Sequence, residues 1–135
     1  MKKFSLDIYT PYGHYLSEKV DYLSVSSEEY TLGILADHAE LISTVTICEV
    51  IIEKDGVRES YATSGGVIKV KNNQVELILE TIESVDEIDL DRAHKAKERA
   101  ENRLLDGNQE TIMITRSKLA LARALNRIRI KERYK

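Results

Sequence analysis

The chain has 135 residues, of which 42% are hydrophobic and 32% are charged, and this suits one domain or two small ones with a buried core. Its single cysteine, Cys48, excludes an intrachain disulfide and fits a reducing compartment. The sequence has no apolar run long enough to span a membrane and no signal-peptide pattern, so we expect any membrane association to depend on a partner.

The formal charge of −3 is distributed unevenly along the chain. Residues 1–84 hold 7 Lys and Arg against 14 Asp and Glu, whereas residues 85–135 hold 13 against 9. An acidic first part and a basic second part predict two pieces with different roles. The acidic body, the pI of about 5.7 and the lack of aromatic residues among the basic ones argue against nucleic-acid binding.

The first 84 residues have the alternation and turn signals of antiparallel β-structure. Phe4, Leu6 and Ile8 alternate with polar residues, as they would in a half-buried strand. Three further β-rich runs follow, at residues 20–25, 42–53 and 57–63, and then a hairpin is predicted over residues 67–79 around Asn72-Asn73. Because Gly, Asn and Asp turn residues separate many of these short runs, we predict a β-sandwich or barrel over residues 1–84.

The sequence period changes near residue 85, where helical patterns begin. Acidic residues that can cap a helix precede Leu90–Leu105, a stretch dominated by good helix formers. Asp106-Gly107-Asn108 interrupts this pattern, and a second helix is predicted from about Glu110 towards Arg133. Two helices joined by a short break predict an antiparallel hairpin over residues 85–135.

The predicted hairpin has little apolar surface to bury. Its first helix offers mainly alanines to a packing face, and its second offers a stripe formed by Leu121, Leu125 and Ile128. Burial is worth about 25 cal/mol per Å², so alanine contributes little, and such a pair of helices is not expected to be stable alone. We therefore interpret the hairpin as a candidate switch that depends on docking or on a ligand.

The sequence contains no recognisable catalytic constellation. Gly65-Gly66 lacks the lysine and the following helix that a phosphate-binding loop needs. His14, His38 and His94 are too widely spaced to indicate a metal site, and Cys48 lies in a strand pattern typical of a core residue. We therefore predict a protein that is not an enzyme, with no catalytic residues and no metal-binding residues.

Six arginines in the second part of the chain repeat one spacing. On helices the offsets i, i+7 and i+11 place each set on one face, where like charges repel unless a counter-charge is near. The counter-charge could be acidic side chains of solvated helices, such as Glu98, or an acidic partner protein, or an anionic ligand such as a nucleotide phosphate. Composition alone favours the solvated salt bridges. The two sets are Arg92, Arg99, Arg103 and Arg116, Arg123, Arg127.

Several motifs occur in the order found in one known family. The segment Glu87-Ile88-Asp89-Leu90-Asp91-Arg92-Ala93 resembles the I/L-D-x-x-R-A motif of the epsilon subunit of bacterial F-type ATP synthases. The resemblance extends over the whole chain, because further similar segments precede and follow this one. They are Thr10-Pro11-Tyr12-Gly13, Leu32-Gly33-Ile34-Leu35 before His38, Ser64-Gly65-Gly66 before a hairpin, and the helix at 119–127.

The resemblance implies an α+β fold in sequence order, with an N-terminal ten-stranded antiparallel β-sandwich (1–84) and a C-terminal antiparallel two-helix hairpin (85–135). It implies a non-catalytic central-stalk subunit of a proton- or sodium-translocating synthase, held peripherally at the cytoplasmic face of the bacterial cell membrane. The sandwich is expected to bind the gamma subunit and the membrane-embedded c-ring, and so to couple rotation. The helices are expected to inhibit ATP hydrolysis when they extend into the alpha/beta catalytic head.

The resemblance also implies a regulatory ligand. In several members of this family ATP binds the folded hairpin and is not hydrolysed, and no cofactor is required. The arginines are expected to meet the phosphates, with Ile88, Asp89 and Ala93 on the adenine side, whereas Arg103 and Arg116 match no ligand position and are interpreted as partner-facing or solvated. Carried over by motif, the expected ATP-binding residues are Glu83, Ile88, Asp89, Arg92, Ala93, Arg99, Arg123 and Arg127.

The sequence departs from the family pattern at two places. Ala36-Asp37 stand where the family has a proline and a glycine, and Glu40 replaces a common proline, so we expect the ring-facing loop to differ in shape. The connection between the helices, which contains Gly107, is about one residue longer. The alternative interpretation is the same stalk subunit without useful ATP affinity, whose arginines contact acidic surfaces of the catalytic head.

Overall fold

The computed structural model of the protein describes residues 2–107 and 110–134. The chain divides into two compact units, Met1–Ser84 and Val85–Lys135. Among the described residues the first unit contains ten β-strands, and the second contains a short 3₁₀ helix and two α-helices. This order of elements confirms the predicted fold, a β-sandwich followed by a two-helix hairpin.

The first unit consists of two five-stranded sheets. In space, one sheet has the strand order β2-β1-β9-β8-β5 and the other has the order β10-β7-β6-β3-β4, with the numbers following the chain. The strands are Phe4–Thr10 (β1), Gly13–Val20 (β2), Tyr22–Ser26 (β3), Thr31–Ile34 (β4), Leu41–Val45 (β5), Cys48–Lys54 (β6), Val57–Thr63 (β7), Gly66–Lys71 (β8), Gln74–Leu79 (β9) and Ile82–Ser84 (β10).

One pair of neighbouring strands departs from the expected antiparallel pattern. β1 and β9 run parallel, with Leu6 opposite Val75 and Ile8 opposite Leu77. A parallel pair needs a crossover connection, and residues 11–73, which include four of the five strands of the second sheet, supply it. The local sequence pattern contains no signal for this pairing, since a buried strand looks the same in either orientation.

The core lies between the two sheets and follows the predicted alternation. Phe4, Leu6 and Ile8 are buried at every second position of β1. Cys48 is also buried, and burial raises the pKa of its thiol, so the side chain stays protonated and acts as a core residue. Within the sandwich the largest fully buried side chains come from both sheets: Phe4, Leu6, Ile8, Val20, Ile68, Leu77 and Leu79 from one, and Leu23, Val25, Ile34 and Val50 from the other.

The β-rich run at residues 42–53 is not one strand. β5 ends at Val45 in the first sheet, and β6 begins at Cys48 in the second. Between them the Thr46 backbone N–H donates to the Ser26 carbonyl at 2.9 Å, which ties the crossing to the end of β3. The crossing is invisible in the sequence because both strands use the same β-branched residues on either side of it.

Charged and amide side chains join several turns at one end of the sandwich. The Lys3 Nζ lies 2.9 Å from Asp21 Oδ2 and 2.8 Å from Asp55 Oδ1. The Asp55 backbone N–H also donates to Asp21 Oδ2 at 2.8 Å. Asn73 extends the network, since its Nδ2 donates to the Lys3 carbonyl at 2.9 Å and its Oδ1 accepts from the Asp37 N–H at 2.8 Å.

Asp37, one of the departures from the family pattern, occupies a backbone conformation that suits glycine. Its φ is +61°, in the left-handed region that side chains other than Asn and Asp enter at a cost. Both carboxylate oxygens lie 2.8 Å from Lys2 Nζ. The aspartate therefore tolerates the turn that a glycine would make without strain, and it adds an exposed ion pair.

The Lys3–Asp21 pair links the stability of the sandwich to pH. Hydrogen bonding from Lys3 holds the pKa of Asp21 below its ordinary value, and hydrogen bonds to Asp55 and Asp21 hold the pKa of Lys3 above its own. A carboxyl with a lowered pKa stabilises the fold above its unfolded pKa and loses that contribution as the pH falls through the folded value. A lysine with a raised pKa stabilises the fold below its unfolded pKa and loses that contribution as the pH rises through the folded value. The pair therefore stabilises the fold fully between roughly pH 5 and pH 9.

We expect Asp21→Asn to reduce the acid sensitivity of the sandwich. The variant lacks the carboxyl that must be protonated in acid, so its melting temperature should fall less than that of the unaltered chain between about pH 6 and pH 3. Thermal unfolding followed by circular dichroism measures this. Glu29→Gln, which removes an exposed carboxyl of the β3–β4 turn, is the matched control, and equal acid slopes for the two variants would contradict the assignment.

Candidate functional site

The helical unit starts with a 3₁₀ helix at Val85–Glu87, and its two α-helices are Leu90–Leu105 (α1) and Thr111–Arg133 (α2). The Asp89 side chain caps α1 by accepting a hydrogen bond from the Arg92 backbone N–H at 3.0 Å, which confirms the capping role predicted for this acidic segment. Asn108, the last residue of the predicted break, lies outside the described residues. No helix in residues 2–107 and 110–134 is both long enough and apolar enough to cross a membrane.

The two helices pack along a seam of small side chains. Ala93 and Ala100 are buried on α1, and Ser117 and Ala124 are buried on α2, so each helix presents small residues seven positions apart. The helix advances about 100° per residue, and each pair therefore shares one face. Because these side chains are small, the helix backbones can approach closely.

The apolar stripe predicted for α2 is partly wrong. Ile128 is buried as expected, but Leu125 is 42% exposed and Leu121 is only partly buried. Leu125 lies about 100° round the helix from Ala124, so it falls beside the seam and not in it. Hydrophobicity favoured leucine for the packing face, whereas close approach of two alanine-rich helices favours the smallest side chains.

A contact between the helices identifies the two sides of the seam. His94 is the residue after the buried Ala93, so it lies about 100° round the axis of α1 from Ala93. Glu132 lies about 80° round the axis of α2 from Ala124, measured in the same direction along the sequence. The His94 Nε2 and Glu132 Oε1 atoms are 3.9 Å apart, which brings the start of α1 to the end of α2, as an antiparallel hairpin requires. Because the two helices are antiparallel, residues just after a seam residue in the sequence lie on the same side of the hairpin in both helices. Residues just before a seam residue lie on the opposite side.

All six arginines of the repeated spacing lie on the side that precedes the seam. We measure each position as the rotation about the helix axis from the seam residue. The three arginines on α1 lie between about 240° and 280° from Ala93, and the three on α2 lie between about 260° and 300° from Ala124. The acidic residues within α1, namely Asp91, Glu98 and Glu101, fall between about 80° and 160°. The six repeated arginines therefore lie on one side of the hairpin and the α1 acids on the other, where Lys118 and Arg129 of α2 also fall.

The sorting explains a lack of salt bridges at these arginines. Within the described part of the chain, the ion pairs include none of Arg92, Arg99, Arg103, Arg116 and Arg123. Arg127 already takes part in an interaction within the chain. Glu98, which composition favoured as a partner, lies about 100–140° round α1 from the three arginines of that helix.

The structure places seven of the eight predicted ATP-binding residues in the helical unit. Ile88 and Ala93 are buried, Arg92 and Arg99 are exposed, and Arg123 and Arg127 are partly buried. Asp89 is exposed at the N-terminus of α1. Glu83 belongs to β10 and hence to the sandwich unit.

The arginine side of the hairpin, Arg92, Arg99, Arg103, Arg116, Arg123 and Arg127, is chemically suited to anions. Two pairs within it are spaced i, i+4, and each such like-charge pair costs about 0.2–0.5 kcal/mol. An anion with several oxygens removes this repulsion and accepts charge-assisted hydrogen bonds from the guanidiniums. A metal ion has no comparable site, because no group of three or more His, Cys, Asp or Glu side chains comes together among the described residues.

Sequence reasoning missed one polar contact of the hairpin. Lys131, in the last turn of α2, donates from Nζ to the Val85 carbonyl at 2.8 Å. A lysine near a helix C-terminus is already accounted for by the helix dipole, so its type and position did not indicate a further role. The partner is a backbone carbonyl 46 residues away, which no side-chain pattern can show.

The sandwich has a groove of its own that contains none of the predicted site residues. It measures about 340 Å³ and lies between β2 and the β6–β7 hairpin. On its wall the Tyr61 hydroxyl donates to Glu59 Oε2 at 2.7 Å, and burial together with this hydrogen bond raises the pKa of Tyr61. The phenol therefore stays protonated, and this groove offers no cluster of cations for an anionic ligand.

Comparison with known proteins gives a consistent result for both units. A family model described as the beta-sandwich domain of the ATP synthase Delta/Epsilon chain matches residues 3–85. A second model, described as the long alpha-helix domain of the same chain, matches residues 86–132. The two models meet between residues 85 and 86, next to the division between the two compact units.

Individual relatives align over nearly the whole length. The ATP synthase epsilon chain of Desulfitobacterium hafniense strain Y51 is 40% identical over 125 residues, which cover 93% of each chain. That of Halalkalibacterium halodurans is 38% identical over 128 residues, covering 95% of this chain and 96% of the relative. A chain of the Euglena gracilis mitochondrial ATP synthase shares the fold, with a TM-score of 0.79 at 21% identity over 89% of this chain and 76% of that chain. Because both family models match in order and the bacterial relatives align from end to end, the chain belongs to the ATP synthase delta/epsilon family, as an epsilon subunit of the bacterial F-type enzymes.

Proposed function

We propose that this chain is the central-stalk epsilon subunit of a proton- or sodium-translocating F-type ATP synthase and acts as a non-catalytic regulator. The sandwich binds the gamma subunit and the c-ring and so couples rotation to catalysis. The complex holds the chain peripherally at the cytoplasmic face of the bacterial cell membrane. The helices inhibit ATP hydrolysis when they extend into the alpha/beta catalytic head, and ATP binding to the folded hairpin opposes that extension. Family membership supports the first part of this proposal.

The arginine side of the hairpin is the observation that supports ATP as the regulatory ligand. Guanidiniums from both helices lie on it, and five of the six have no ion-pair partner among the described residues. A triphosphate bridging α1 and α2 would neutralise charges on both helices at once, so its binding energy favours the closed hairpin. In this proposal Arg92, Arg99, Arg123 and Arg127 bind the phosphates.

The adenine side of the proposed site lies at the start of α1. Ile88 and Ala93 are 3% and 4% exposed there, so in this proposal they become apolar contacts of the purine once the side chains that cover them move aside. Asp89 supplies a carboxylate, one oxygen of which caps α1, so the other can accept a hydrogen bond from the adenine amino group. Glu83 is the eighth residue of the proposed ATP-binding set. In this proposal ATP acts as a regulator and is not hydrolysed.

The outer face of the first sheet supports a protein partner for the sandwich. Val67, Ile78 and Tyr9 are neighbours in a row across β8, β9 and β1. Ile78 is 46% exposed and Tyr9 is exposed as well, so the row forms an apolar strip on the surface. Exposed apolar strips of this kind mark interaction surfaces in soluble proteins, and the strip fits the proposed contact with the stalk and the ring.

The experiment that tests ATP regulation is a titration of the full chain with ATP, in which closure of the helices is followed by amide hydrogen exchange. We expect saturable protection of α1 and α2. Arg92→Ala should weaken the apparent affinity by about tenfold or more, because it removes a charge-assisted hydrogen bond to a phosphate. Lys118→Ala is the matched control, since it removes a cation from α2 about 120° away from Ala124 and should leave the affinity unchanged.

Two results would contradict ATP regulation. One is the absence of any saturable protection at millimolar ATP. The other is an equal affinity for the Arg92→Ala and Lys118→Ala variants, which would mean that the repeated arginines are not the ligand's partners. Either result leaves the assignment as a stalk subunit untouched, because that assignment depends on the match of the whole chain to its family.

A second candidate for the arginine side is the acidic surface of the alpha/beta catalytic head, without useful ATP affinity. Exposed apolar residues on α2 favour a protein partner for the hairpin, among them Ile112, Met113 and Leu119. In this case Arg92→Ala weakens inhibition of ATP hydrolysis in the assembled synthase, while the isolated chain shows no response to ATP. The titration and an inhibition assay on the same variants therefore separate the two candidates.

A further inference from the structure

We propose that Lys131 is a positioning residue that ties the last turn of α2 to the segment before α1 and so holds the hairpin closed. Its Nζ donates to the Val85 carbonyl at 2.8 Å, and both residues belong to the helical unit. The contact joins the two ends of the unit in the sequence. For its link to the nucleotide site, the inference rests on the proposed binding of ATP.

The Val85 carbonyl connects Lys131 to the proposed adenine side. The same oxygen accepts the Ile88 backbone N–H at 3.3 Å, so one carbonyl is shared by the lysine and by the turn that carries Ile88. The next residue, Asp89, caps α1 through the Arg92 N–H. Lys131 therefore acts on the position of Ile88 and Asp89 through the backbone, without being placed to touch a ligand itself.

Apolar burial and polar contacts act together at this end of the hairpin. Ile88, Ile128 and Ile130 are buried there, whereas the seam further along consists largely of alanine and serine, which bury few methyl groups. The neighbouring His94–Glu132 pair is 3.9 Å apart and its side chains are about half exposed, so it contributes little. By comparison, the Lys131 hydrogen bond is short, partly buried and charge-assisted.

The arrangement links hairpin closure to the nucleotide. When the hydrogen bond between Lys131 and the Val85 carbonyl breaks, the segment with Ile88 and Asp89 is no longer held to the helix that carries Arg123 and Arg127. A nucleotide that needs both sets of residues binds only molecules whose hairpin is closed. Its apparent affinity therefore falls in proportion to the fraction of closed molecules. Conversely, bound ATP should stabilise the Lys131 contact.

The test compares three variants of the full chain. Lys131→Met keeps much of the aliphatic stem and removes the donor, whereas Lys131→Arg keeps a cationic donor. Lys118→Met is the matched control, an exposed lysine on the same helix for which the structure describes no polar contact. We expect amide exchange at Ile88 and in the last two turns of α2 to be about fivefold faster in Lys131→Met without nucleotide. Lys118→Met should behave like the unaltered chain, and Lys131→Arg should recover most of the protection.

The ATP affinity of the same variants supplies the second measurement. Lys131→Met should bind ATP more weakly by the factor by which its closed population falls, and the exchange rates without nucleotide give that population. Equal exchange rates in Lys131→Met and Lys118→Met would overturn the inference, and so would an unchanged ATP affinity in a variant whose closed population, measured by exchange, has fallen severalfold. If the unaltered chain bound no ATP, the proposed regulation would fall, but the exchange rates, which are measured without nucleotide, would still decide whether Lys131 holds the hairpin.

Discussion

Replacing Gly66 by alanine is expected to lower the free energy of unfolding of the sandwich by about 3 kcal/mol, enough to threaten the fold of a small domain. Gly66 starts β8 and pairs with Leu79 on one side and Val45 on the other. A Cβ added there would lie 1.9 Å from the Ile78 carbonyl oxygen and 2.9 Å from the Leu79 Cα. Both are backbone atoms of the neighbouring strand, so β8 and β9 would have to separate.

Urea unfolding measures this loss, and Gly33→Ala in β4 is the matched control. At Gly33 the nearest atom to an added Cβ is the Tyr22 hydroxyl at 3.2 Å, at the end of a side chain that can move. We expect the control to unfold close to the midpoint of the unaltered chain. A Gly66→Ala midpoint as high as that of the control would show that the contact between β8 and β9 is not as close as described.

Replacing Ala100 by leucine is expected to open the hairpin while leaving the sandwich folded. Ala100 is 1% exposed and lies in the seam between α1 and α2. A side chain three carbons larger has no room there, and overpacking of this kind costs about 1–3 kcal/mol. Apart from Ile128, the buried side chains of the seam are alanine and serine, so that cost is large for a helix pair with small packing residues.

Amide exchange resolved by segment is the measurement for Ala100→Leu, because it reports the two units separately. Exchange should accelerate in α1 and α2 and stay unchanged in β1, β8 and β9. Asn102→Leu, on the exposed side of α1 about 180° from the seam, is the control for adding a leucine. If both variants exchange alike, the seam is not where the helices meet, and the sorting of the arginines to one side of it falls as well.

The fold could be predicted from the sequence where the determinants are local. The alternation of Phe4, Leu6 and Ile8 indicated β1, and the capping acid Asp89 with the break after Leu105 indicated both bounds of α1. Strand partners are not local. Which strand lies beside β1, and where the run at 42–53 changes sheets, depend on contacts between distant residues whose local patterns are alike.

The candidate site divides in the same way. The repeated offsets of the arginines predicted that each helix would carry its guanidiniums on one face, because helix periodicity decides this. They could not show that the acids of α1 lie on the other side of the seam, since that depends on which face packs. The choice of Ala124 over Leu125 for the seam, and the reach of Lys131 to a backbone carbonyl, likewise follow from how closely two helices approach.

The parallel pairing of β1 with β9 has a consequence for the order in which the chain can fold as it is made. β1 leaves the ribosome well before β9, its neighbour on one side, which ends at Leu79. Until then β1 can pair only with β2, and a two-stranded ribbon is marginally stable. The sandwich therefore closes late and through a long-range contact, which makes its folding slow, and the helices emerge only after its last strand is available.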